Sequence, residues 1–243
     1  MRLAVLSDIH SNLVALDAVL EDLAAQPAVD EIWACGDIVG YGPQPNEVIA
    51  RLVERGARAV MGNHDGAAVG RVDVAWFNDA AAAAIGWTAK VLNAASREWL
   101  DALPERLVDG ELTAVHGSPR DPVWEYITSP DVAAANLAAF ETRICLFGHT
   151  HFPVVYAEAD AGMSEATGVA RGPIPLPGSR LLLNPGSVGQ PRDGNRDSSY
   201  FVLDLDASTV EFRRVAYDIG ATQALMREVG LPRWLIDRLE QGR

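Results

Sequence analysis

Five apolar, strand-like runs in this 243-residue sequence each end in a cluster of Asp, Asn or His with a glycine nearby. All five histidines lie in four of these clusters, and Asp37 leads the fifth. The clusters are Asp8 with His10, Gly36 with Asp37, Gly62 to Asp65, His116 with Gly117, and Gly148 to His151. Because helical segments separate the runs, the pattern predicts an α/β core whose strand ends meet at one edge, where ligands of such folds bind.

Two clusters contain pairs with the same spacing, Asp8 with His10 and His149 with His151. In extended backbone, residues two apart point to the same side, so each pair is expected to direct two side chains into one space. A single H-x-H pair is more often part of a surface turn, because a two-residue motif is weakly specific. The repetition of the pattern at several strand ends favours metal binding.

Seven side chains in the clusters are candidate metal ligands: Asp8, His10, Asp37, Asn63, His116, His149 and His151. Carboxylate, imidazole and amide donors without thiolate suit Mn, Fe, Zn or Ni, of which we favour Mn. Seven donors are too many for one tetrahedral ion, but they suit two ions that share a carboxylate. Paired divalent ions commonly hydrolyse phosphate esters, so we expect a metal-bridging hydroxide to attack phosphorus.

In sequence order, the motifs D-x-H, G-D-x-x-G, G-N-H-D, H-G-S and G-H-T-H resemble those of the calcineurin-like metallophosphoesterase superfamily. The segment NPGSVGQPRD, residues 184–193, is similar to the small bacterial and archaeal phosphoesterase branch. The resemblance implies a four-layer α/β/β/α sandwich of two mixed sheets flanked by helices, with a dinuclear metal site at the strand ends. It also implies a metal-dependent phosphatase or phosphodiesterase.

The resemblance assigns roles to the candidate residues. The resemblance implies that the first metal is held by Asp8, His10 and His151. It implies that Asp37 bridges both metals. The second metal is implied to be held by Asn63, His116 and His149. His64 is implied to be catalytic without binding metal, facing the phosphate or the leaving group. With an unperturbed pKa near 6.5, we expect His64 to be able to carry a positive charge there.

One motif departs from the pattern of two related groups of enzymes. Phosphoprotein phosphatases and symmetrical dinucleoside tetraphosphate hydrolases carry G-D-x-x-D-R-G where this chain has GDIVGYG. Gly40 replaces the Asp that pairs with the motif His, and Tyr41 replaces a phosphate-binding Arg. Protein phosphatase activity is therefore the less favoured interpretation. Asp65, adjacent to His64, is the remaining candidate to orient that imidazole.

Three residues are candidate substrate contacts, Tyr41, Arg120 and Arg192. Arg120 follows His116 in a loop with Trp124 and Tyr126, which either overhangs the metals or is a proline-stiffened loop with Trp124 packed on the core. Arg192 either binds phosphate through its planar guanidinium or forms a surface salt bridge. The segment 159–178 is too long for a plain turn and is interpreted as a variable hairpin or a lid.

The remaining segments are interpreted as scaffold. Helices are predicted after Asn12, which is expected to cap the first of them, from Pro45 to Gly56, and over 78–93 and 96–103. Alternating residues in 199–206 and 209–218 predict an antiparallel hairpin in the second sheet. Two short helices in 218–241 are interpreted as a cap or a dimer contact of a single domain spanning residues 1–243.

The net charge of −13, from 33 acidic and 20 basic residues, argues against an extended nucleic-acid footprint. We expect a small phosphate-ester substrate, no membrane partner and a cytoplasmic location, with Cys35 and Cys145 as buried free thiols. The alternatives are a non-catalytic protein-binding platform on the same fold and a metal-dependent nuclease. Metal analysis followed by turnover of chromogenic mono- and diesters distinguishes among these readings.

Overall fold

Two mixed β-sheets occupy the middle of the protein, in a computed structural model that describes residues 1–160, 162–167 and 172–243. Within these residues the first sheet has six strands in the order β3-β2-β1-β11-β12-β9. The strands are β1 (Arg2–Leu6), β2 (Glu31–Ala34), β3 (Arg58–Ala59), β9 (Ile174–Pro175), β11 (Ser198–Asp204) and β12 (Thr209–Val215). β1, β2 and β3 are parallel to one another, whereas β11 and β12 are antiparallel neighbours.

The second sheet, described over the same residues, has the order β4-β5-β6-β10-β7-β8. Its strands are β4 (Arg106–Asp109), β5 (Leu112–Val115), β6 (Ile144–Leu146), β7 (Pro153–Ala159), β8 (Gly162–Thr167) and β10 (Leu181–Pro185). β5, β6 and β10 are parallel, and the pairs β4 with β5, β7 with β10 and β8 with β7 are antiparallel. The prediction of two mixed sheets is confirmed.

Eight α-helices among the described residues connect and flank the sheets. They are α1 (Leu13–Ala24), α2 (Pro45–Glu54), α3 (Asn63–Val69), α4 (Asp79–Val91), α5 (Ala94–Asp101), α6 (Pro130–Asn136), α7 (Ile219–Glu228) and α8 (Arg233–Asp237). The N–H of Ala15 donates to the Asn12 side chain at 3.2 Å, which confirms the predicted cap of α1. α5 begins two residues before the predicted helix because Asn93 caps it by accepting the N–H of Ser96.

Three apolar cores establish the layer order. Leu3 and Val5 of β1 meet Leu183 of β10 between the two sheets. The opposite face of the first sheet packs on α1 and α2 through residues such as Leu16. The outer face of the second sheet packs on α6 through residues such as Ala133. The predicted four-layer α/β/β/α sandwich is confirmed.

The predicted C-terminal hairpin forms, but in the other sheet. β11 and β12 pair as expected, with Phe201 opposite Phe212. Because β11 also pairs with β1, the hairpin belongs to the first sheet, so its predicted place in the second sheet is wrong. Alternation of residues specifies which segments pair with each other, and it carries no information on the sheet that they join.

The segment 159–178 contains a hairpin and a short strand. β7 and β8 pair in antiparallel register, which supports the hairpin interpretation, and Ile174–Pro175 pairs with β12 of the first sheet. The lid interpretation also involved positions 161 and 168–171, which lie outside the described residues.

The C-terminal helices pack against the rest of the same chain. Met226 of α7 and Leu235 of α8 contact Tyr41 and α4 residues such as Ala84, the arrangement expected of a cap. The two helices are separated at Gly230, where the backbone is left-handed with φ of 75°. A dimer contact through these helices stays a prediction. Within the described residues, no helix combines the length and the apolar character needed to cross a membrane.

Candidate active site

The ends of five strands from both sheets converge on one buried site. Each strand is followed directly by a short segment that contributes polar side chains to the same space. The segments after β1, β2, β3, β5 and β6 contribute, in that order, Asp8 and His10, Asp37, Asn63, His116, and His149 and His151. All seven predicted ligands are buried, with at most 4% of any of them exposed. We call this set of seven residues the ligand floor.

Asp8, His10 and His151 form the first group of donors. The Nε2 atom of His151 lies 3.1 Å from Oδ1 of Asp8 and 3.3 Å from Nε2 of His10. The other carboxylate oxygen of Asp8 is occupied, because it accepts hydrogen bonds from the Ser7 hydroxyl at 2.7 Å and from the His149 N–H at 3.1 Å. Oδ1 is left buried without a hydrogen-bond partner among the described residues.

Asn63, His116 and His149 form the second group, and Asp37 lies between the two groups. Nε2 of His116 lies 3.0 Å from Nδ1 of His149 and 3.2 Å from Oδ1 of Asn63. Oδ2 of Asp37 is 3.4 Å from Nε2 of His116 and 3.7 Å from Nε2 of His10. The groups therefore meet at one carboxylate oxygen, which is the position required of a bridging ligand.

The donor atoms of the first group fit a cation. Nδ1–H of His10 donates to the Val39 carbonyl and Nδ1–H of His151 to the Gln190 carbonyl, at 3.2 and 2.6 Å. These tautomers, assigned from the carbonyl partners, leave a lone pair on each Nε2. Two lone pairs 3.3 Å apart, beside an unpartnered carboxylate oxygen, repel one another unless a positive ion lies among them.

The spacing of the donor atoms also fits a bound metal ion. In the closest contacts of the two groups and of Asp37, neighbouring donor atoms lie 3.0 to 3.4 Å apart. Ions with bonds of about 2.0–2.2 Å separate adjacent ligands by roughly 3.0–3.5 Å. Groups of Asp and His that could hold metal are therefore present on this floor.

The charges of the site favour cations. Burial opposes ionisation of Asp8 and Asp37, but His151 and His116 beside them hold the pKa of both carboxyls below the usual range. Burial also opposes protonation of His116, but Asp37 and Asp8 outweigh it and raise the pKa of His116 to about 9. Burial lowers the pKa of His149 to about 3. The two carboxylates therefore keep their negative charge in this buried site, and this charge favours a cation beside them.

The ligand pairs reach the site through left-handed backbone. Asp8, His10, Asp37, His149 and His151 have φ between 50° and 65°. The expectation that each i, i+2 pair lies on extended strand is therefore wrong, although the paired side chains do converge. Residues with a Cβ rarely adopt this conformation. Its repeated occurrence at one site indicates backbone strain of the kind that clusters at functional sites.

Close packing around Gly148 fixes the turn before His149. A Cβ at Gly148 would lie 1.9 Å from the Ser7 hydroxyl, so only glycine fits there. Asn184 holds the same turn, because its side-chain NH₂ donates to the Gly148 carbonyl at 2.7 Å and to the Thr150 hydroxyl at 3.1 Å. The sequence motif contained Asn184, but nothing in the motif indicated that it positions a ligand turn.

His64 lines the cavity above the floor near Asp37, and within the described residues its ring makes no hydrogen bond to a carboxylate. Its Nδ1 atom is buried against Gly40, where an added Cβ would lie 2.5 Å away, and is unpartnered among the described residues. Asp65 does not orient it, because the Asp65 carboxylate accepts the N–H groups of Val39 and Gly62 at 2.9 and 3.0 Å. That suggestion from the sequence is wrong.

The charge expected for His64 also differs. Burial lowers its pKa to about 4, despite the opposing effect of Asp37, so the imidazole is neutral at pH 7. The expectation of a cationic His64 is corrected accordingly. A neutral imidazole still provides one N–H donor, and the backbone N–H of His64 donates to Asp37 at 2.9 Å.

Of the three candidate substrate contacts, two reach the cavity, which has a volume of about 110 Å³. Tyr41 lies in its wall between His10 and His64, with ring centroids 4.5 and 4.3 Å away. The guanidinium of Arg192 lies 6.0 Å from the Tyr41 ring and also lines the cavity. Arg120 does not line the cavity and is paired with Glu125 instead.

Four aromatic side chains surround the mouth of the cavity: Trp76, Phe77, Trp124 and Tyr126. We call them the aromatic entrance. The Tyr126 ring stacks on His149 at 3.8 Å, which fits the expectation that its loop overhangs the floor. Trp76 and Phe77 were not found from the sequence, because they lie in a short irregular segment without a recognisable motif.

The fold and the site together define a class of protein. Residues 1–208 match the family model of the calcineurin-like phosphoesterase superfamily domain, and the chain belongs to this superfamily.

Two similar proteins match almost the whole chain, and a third matches part of it. A metallophosphoesterase from Sphaerobacter thermophilus has a crystal structure that covers 100% of this chain and 99% of its own, with 44% identity and a TM-score of 0.90. An uncharacterized protein from Methanocaldococcus jannaschii is 38% identical, covering 99% of this chain and 98% of its own. A symmetrical bis(5′-nucleosyl)-tetraphosphatase from Baumannia cicadellinicola is 40% identical over 63 residues, which are 25% of this chain and 22% of that protein.

Proposed function

We propose that this protein is a hydrolase of phosphomonoesters or phosphodiesters that uses two divalent metal ions, with Mn²⁺ favoured. One observation carries the proposal: two groups of buried donors share an oxygen of Asp37, 3.4 and 3.7 Å from a histidine of each group. Membership of a phosphoesterase superfamily supports the class of reaction.

The ligand floor would hold the two ions in the division implied by the motifs. Asp8, His10 and His151 would hold one ion, Asn63, His116 and His149 the other, and Asp37 both. When bound, such ions lower the pKa of a coordinated water to near neutrality and polarise the phosphoryl oxygens. The protein supplies the donors, keeps the imidazoles of His10, His116 and His151 in one tautomer through carbonyl partners, and excludes bulk water from the floor.

Arg192 is proposed as the phosphate-binding cation of this enzyme. The arginine found in the G-D-x-x-D-R-G motif of related groups is Tyr41 here. Arg192 comes from a different loop, after β10, and its guanidinium lies 6.0 Å from the ring of Tyr41. Its planar fork suits two phosphate oxygens, and Tyr41 would hold it above the floor.

His64 is proposed to contact the phosphoryl or leaving oxygen through a neutral imidazole. With burial lowering its pKa to about 4, it has little capacity to deliver a proton at pH 7, but it can donate a hydrogen bond. A donor aimed at developing charge contributes most when it is held in place, and Tyr41 and Phe77 pack on this ring at 4.3 and 5.0 Å.

Hydrolysis of a nucleoside polyphosphate is the second candidate, because a bis(5′-nucleosyl)-tetraphosphatase matches a quarter of the chain. Gly40 and Tyr41 weigh against it, since they replace the Asp and Arg of that group's motif. We also propose a small substrate, rather than a polynucleotide, in view of the net charge of −13. The two buried free thiols favour a cytoplasmic location.

Metal removal tests the proposal directly. Chelator-treated protein should hydrolyse neither p-nitrophenyl phosphate nor bis-p-nitrophenyl phosphate, and added Mn²⁺ should restore turnover. Mass spectrometry of the metal content should show two ions per chain in the restored protein. Full turnover in metal-stripped protein would contradict the proposal.

A further inference from the structure

We propose that the aromatic entrance binds a nucleobase, which makes small nucleotides the substrate class of this site. The inference rests on the proposed function, because the phosphate of the nucleotide is taken to lie on the ligand floor. It arises from four aromatic rings at the mouth of the cavity, a feature that the chemistry of the metals does not require.

The rings are neighbours in a series that begins at His64. Phe77 lies 5.0 Å from His64, Trp124 lies 5.2 Å from Phe77, and Trp76 lies 6.0 Å from Trp124, measured between ring centroids. In a nucleotide, the ribose separates the base from the phosphate. A base is therefore expected to lie farther from the ligand floor than a ring bonded directly to phosphate through oxygen, and the tryptophans are the rings that we propose it contacts.

The high exposure of Trp76 is consistent with a ligand-binding surface. The residue is 76% accessible and lines the cavity, although tryptophan is on average highly buried. Trp124 faces it with an angle of 36° between the rings. Two indole rings beside an opening suit a planar aromatic group, which stacks on such rings irrespective of base identity.

The backbone that carries each tryptophan is fixed by local hydrogen bonds. The backbone N–H of Trp124 donates to the Asp121 side chain at 3.1 Å, and the backbone N–H of Asp121 donates to the Ser118 hydroxyl at 3.1 Å. On the other side, Asp73 caps the turn of Trp76 by accepting the backbone N–H of Ala75 at 2.9 Å. A backbone that is already ordered loses little entropy when a ligand stacks on the side chains that it carries.

The test compares two ligands that differ only in the base. They are the analogues of adenosine 5′-monophosphate and ribose 5-phosphate in which a methylene group replaces the bridging oxygen, so that neither is hydrolysed. Calorimetry on the Mn²⁺-loaded protein should give a Kd about 5- to 150-fold lower for the adenosine analogue, the range expected of one stacked base.

Variants of Trp76 test whether the aromatic entrance causes the preference for the adenosine analogue. Trp76→Ala should remove most of the preference, and Trp76→Phe, which keeps a ring, should retain most of it. Trp234→Ala is the matched control, because Trp234 is also exposed, at 57%, but does not line the cavity. The Trp234→Ala variant should prefer the adenosine analogue as strongly as the wild type does.

Three results would overturn the inference. They are equal binding of the two analogues, a preference that persists in both Trp76→Ala and Trp124→Ala, and a preference for phenylphosphonate over methylphosphonate without any preference for adenosine. Hydrolysis of p-nitrophenyl esters is measured separately. Turnover without base preference would refute this inference alone, and base preference without any turnover would refute the proposed hydrolysis alone.

Discussion

The ligand floor and the aromatic entrance are built in opposite ways. The floor comes from strand ends of both sheets, and each of its residues is at most 4% exposed. The entrance comes from connecting segments, and Trp76 and Tyr126 are 76% and 48% exposed. The floor is thus constrained by the whole fold, whereas the entrance depends on local turns. The difference teaches that the chemistry and the choice of substrate can change separately in this protein.

The largest effect is expected from Asp37→Asn on the floor. An amide lacks the charge needed by two cations, so metal content and turnover should fall together. We expect kcat to drop roughly 10⁴-fold or more, since a water of pKa about 7 is lost when the ions are lost. Mass spectrometry of bound metal and circular dichroism check the result. Two metals per chain with normal turnover would show that Asp37 does not bridge.

A smaller effect is expected from His64→Gln, at the boundary between floor and entrance. Metal content should stay unchanged, and kcat should fall by about 10²-fold, the lower end of the range for removal of one positioned hydrogen-bond donor. If His64 contacts the leaving oxygen, the loss should shrink for p-nitrophenolate esters. If it contacts phosphoryl oxygens, the loss should be the same across a leaving-group series. Release of a metal ion from this variant would identify His64 as a ligand.

Gly40→Ala should disturb the same boundary through packing alone. The new Cβ would lie 2.5 Å from the His64 ring, so we expect kcat to fall by roughly 10-fold with both metals retained. Gly70→Ala is the matched control, because Gly70 has φ of 87° against 88° at Gly40 and has open space around it. The control should lose only the backbone contribution to stability that both variants share, about 1 kcal/mol, and keep full turnover. Equal turnover in the two variants would mean that His64 tolerates displacement.

The smallest effect is expected from Arg120→Gln, which loosens the loop of the entrance. Glu125 accepts hydrogen bonds from Arg120, Ser118 and Asn136, so this residue ties the loop to α6. An exposed pair of this kind contributes about 0.2–1 kcal/mol, so KM should rise less than about 5-fold at unchanged kcat. Arg233→Gln, which breaks the exposed pair with Asp237, is the control. A large fall in kcat for Arg120→Gln would contradict its place outside the cavity.

The floor was predictable from the sequence because its chemistry depends on residue type. Asp, Asn and His beside glycine at five strand ends indicated which side chains converge, and the α/β sandwich. The backbone that brings them together was not predictable, since left-handed φ at His149 and His151 is set by contacts such as that of Gly148 with Ser7. The function of Asp65 was missed for a related reason. It lies in the first turn of α3, so its carboxylate reaches back to backbone N–H groups.

The entrance was less predictable because its parts are distant in sequence. Trp124 and Tyr126 were noticed through their closeness to His116, and the same closeness suggested Arg120. In the structure the loop turns at Asp121, so Arg120 pairs with Glu125 while Trp124 and Tyr126 face the cavity. Trp76 and Phe77 reach the cavity from the segment between α3 and α4. Only the folded arrangement shows that these two segments meet.

The left-handed ligand residues have a consequence for the life of the protein in a cell. A non-glycine residue in this conformation costs about 1 kcal/mol, so the five ligand positions together cost an amount comparable to the lower end of the about 5–15 kcal/mol that keeps a domain folded. An ion bound only by the folded chain, as in the proposed function, would restore that stability by mass action. On that proposal we expect newly made chains to be degraded faster when divalent metal is scarce, so that the amount of the protein in the cell would follow the supply of metal.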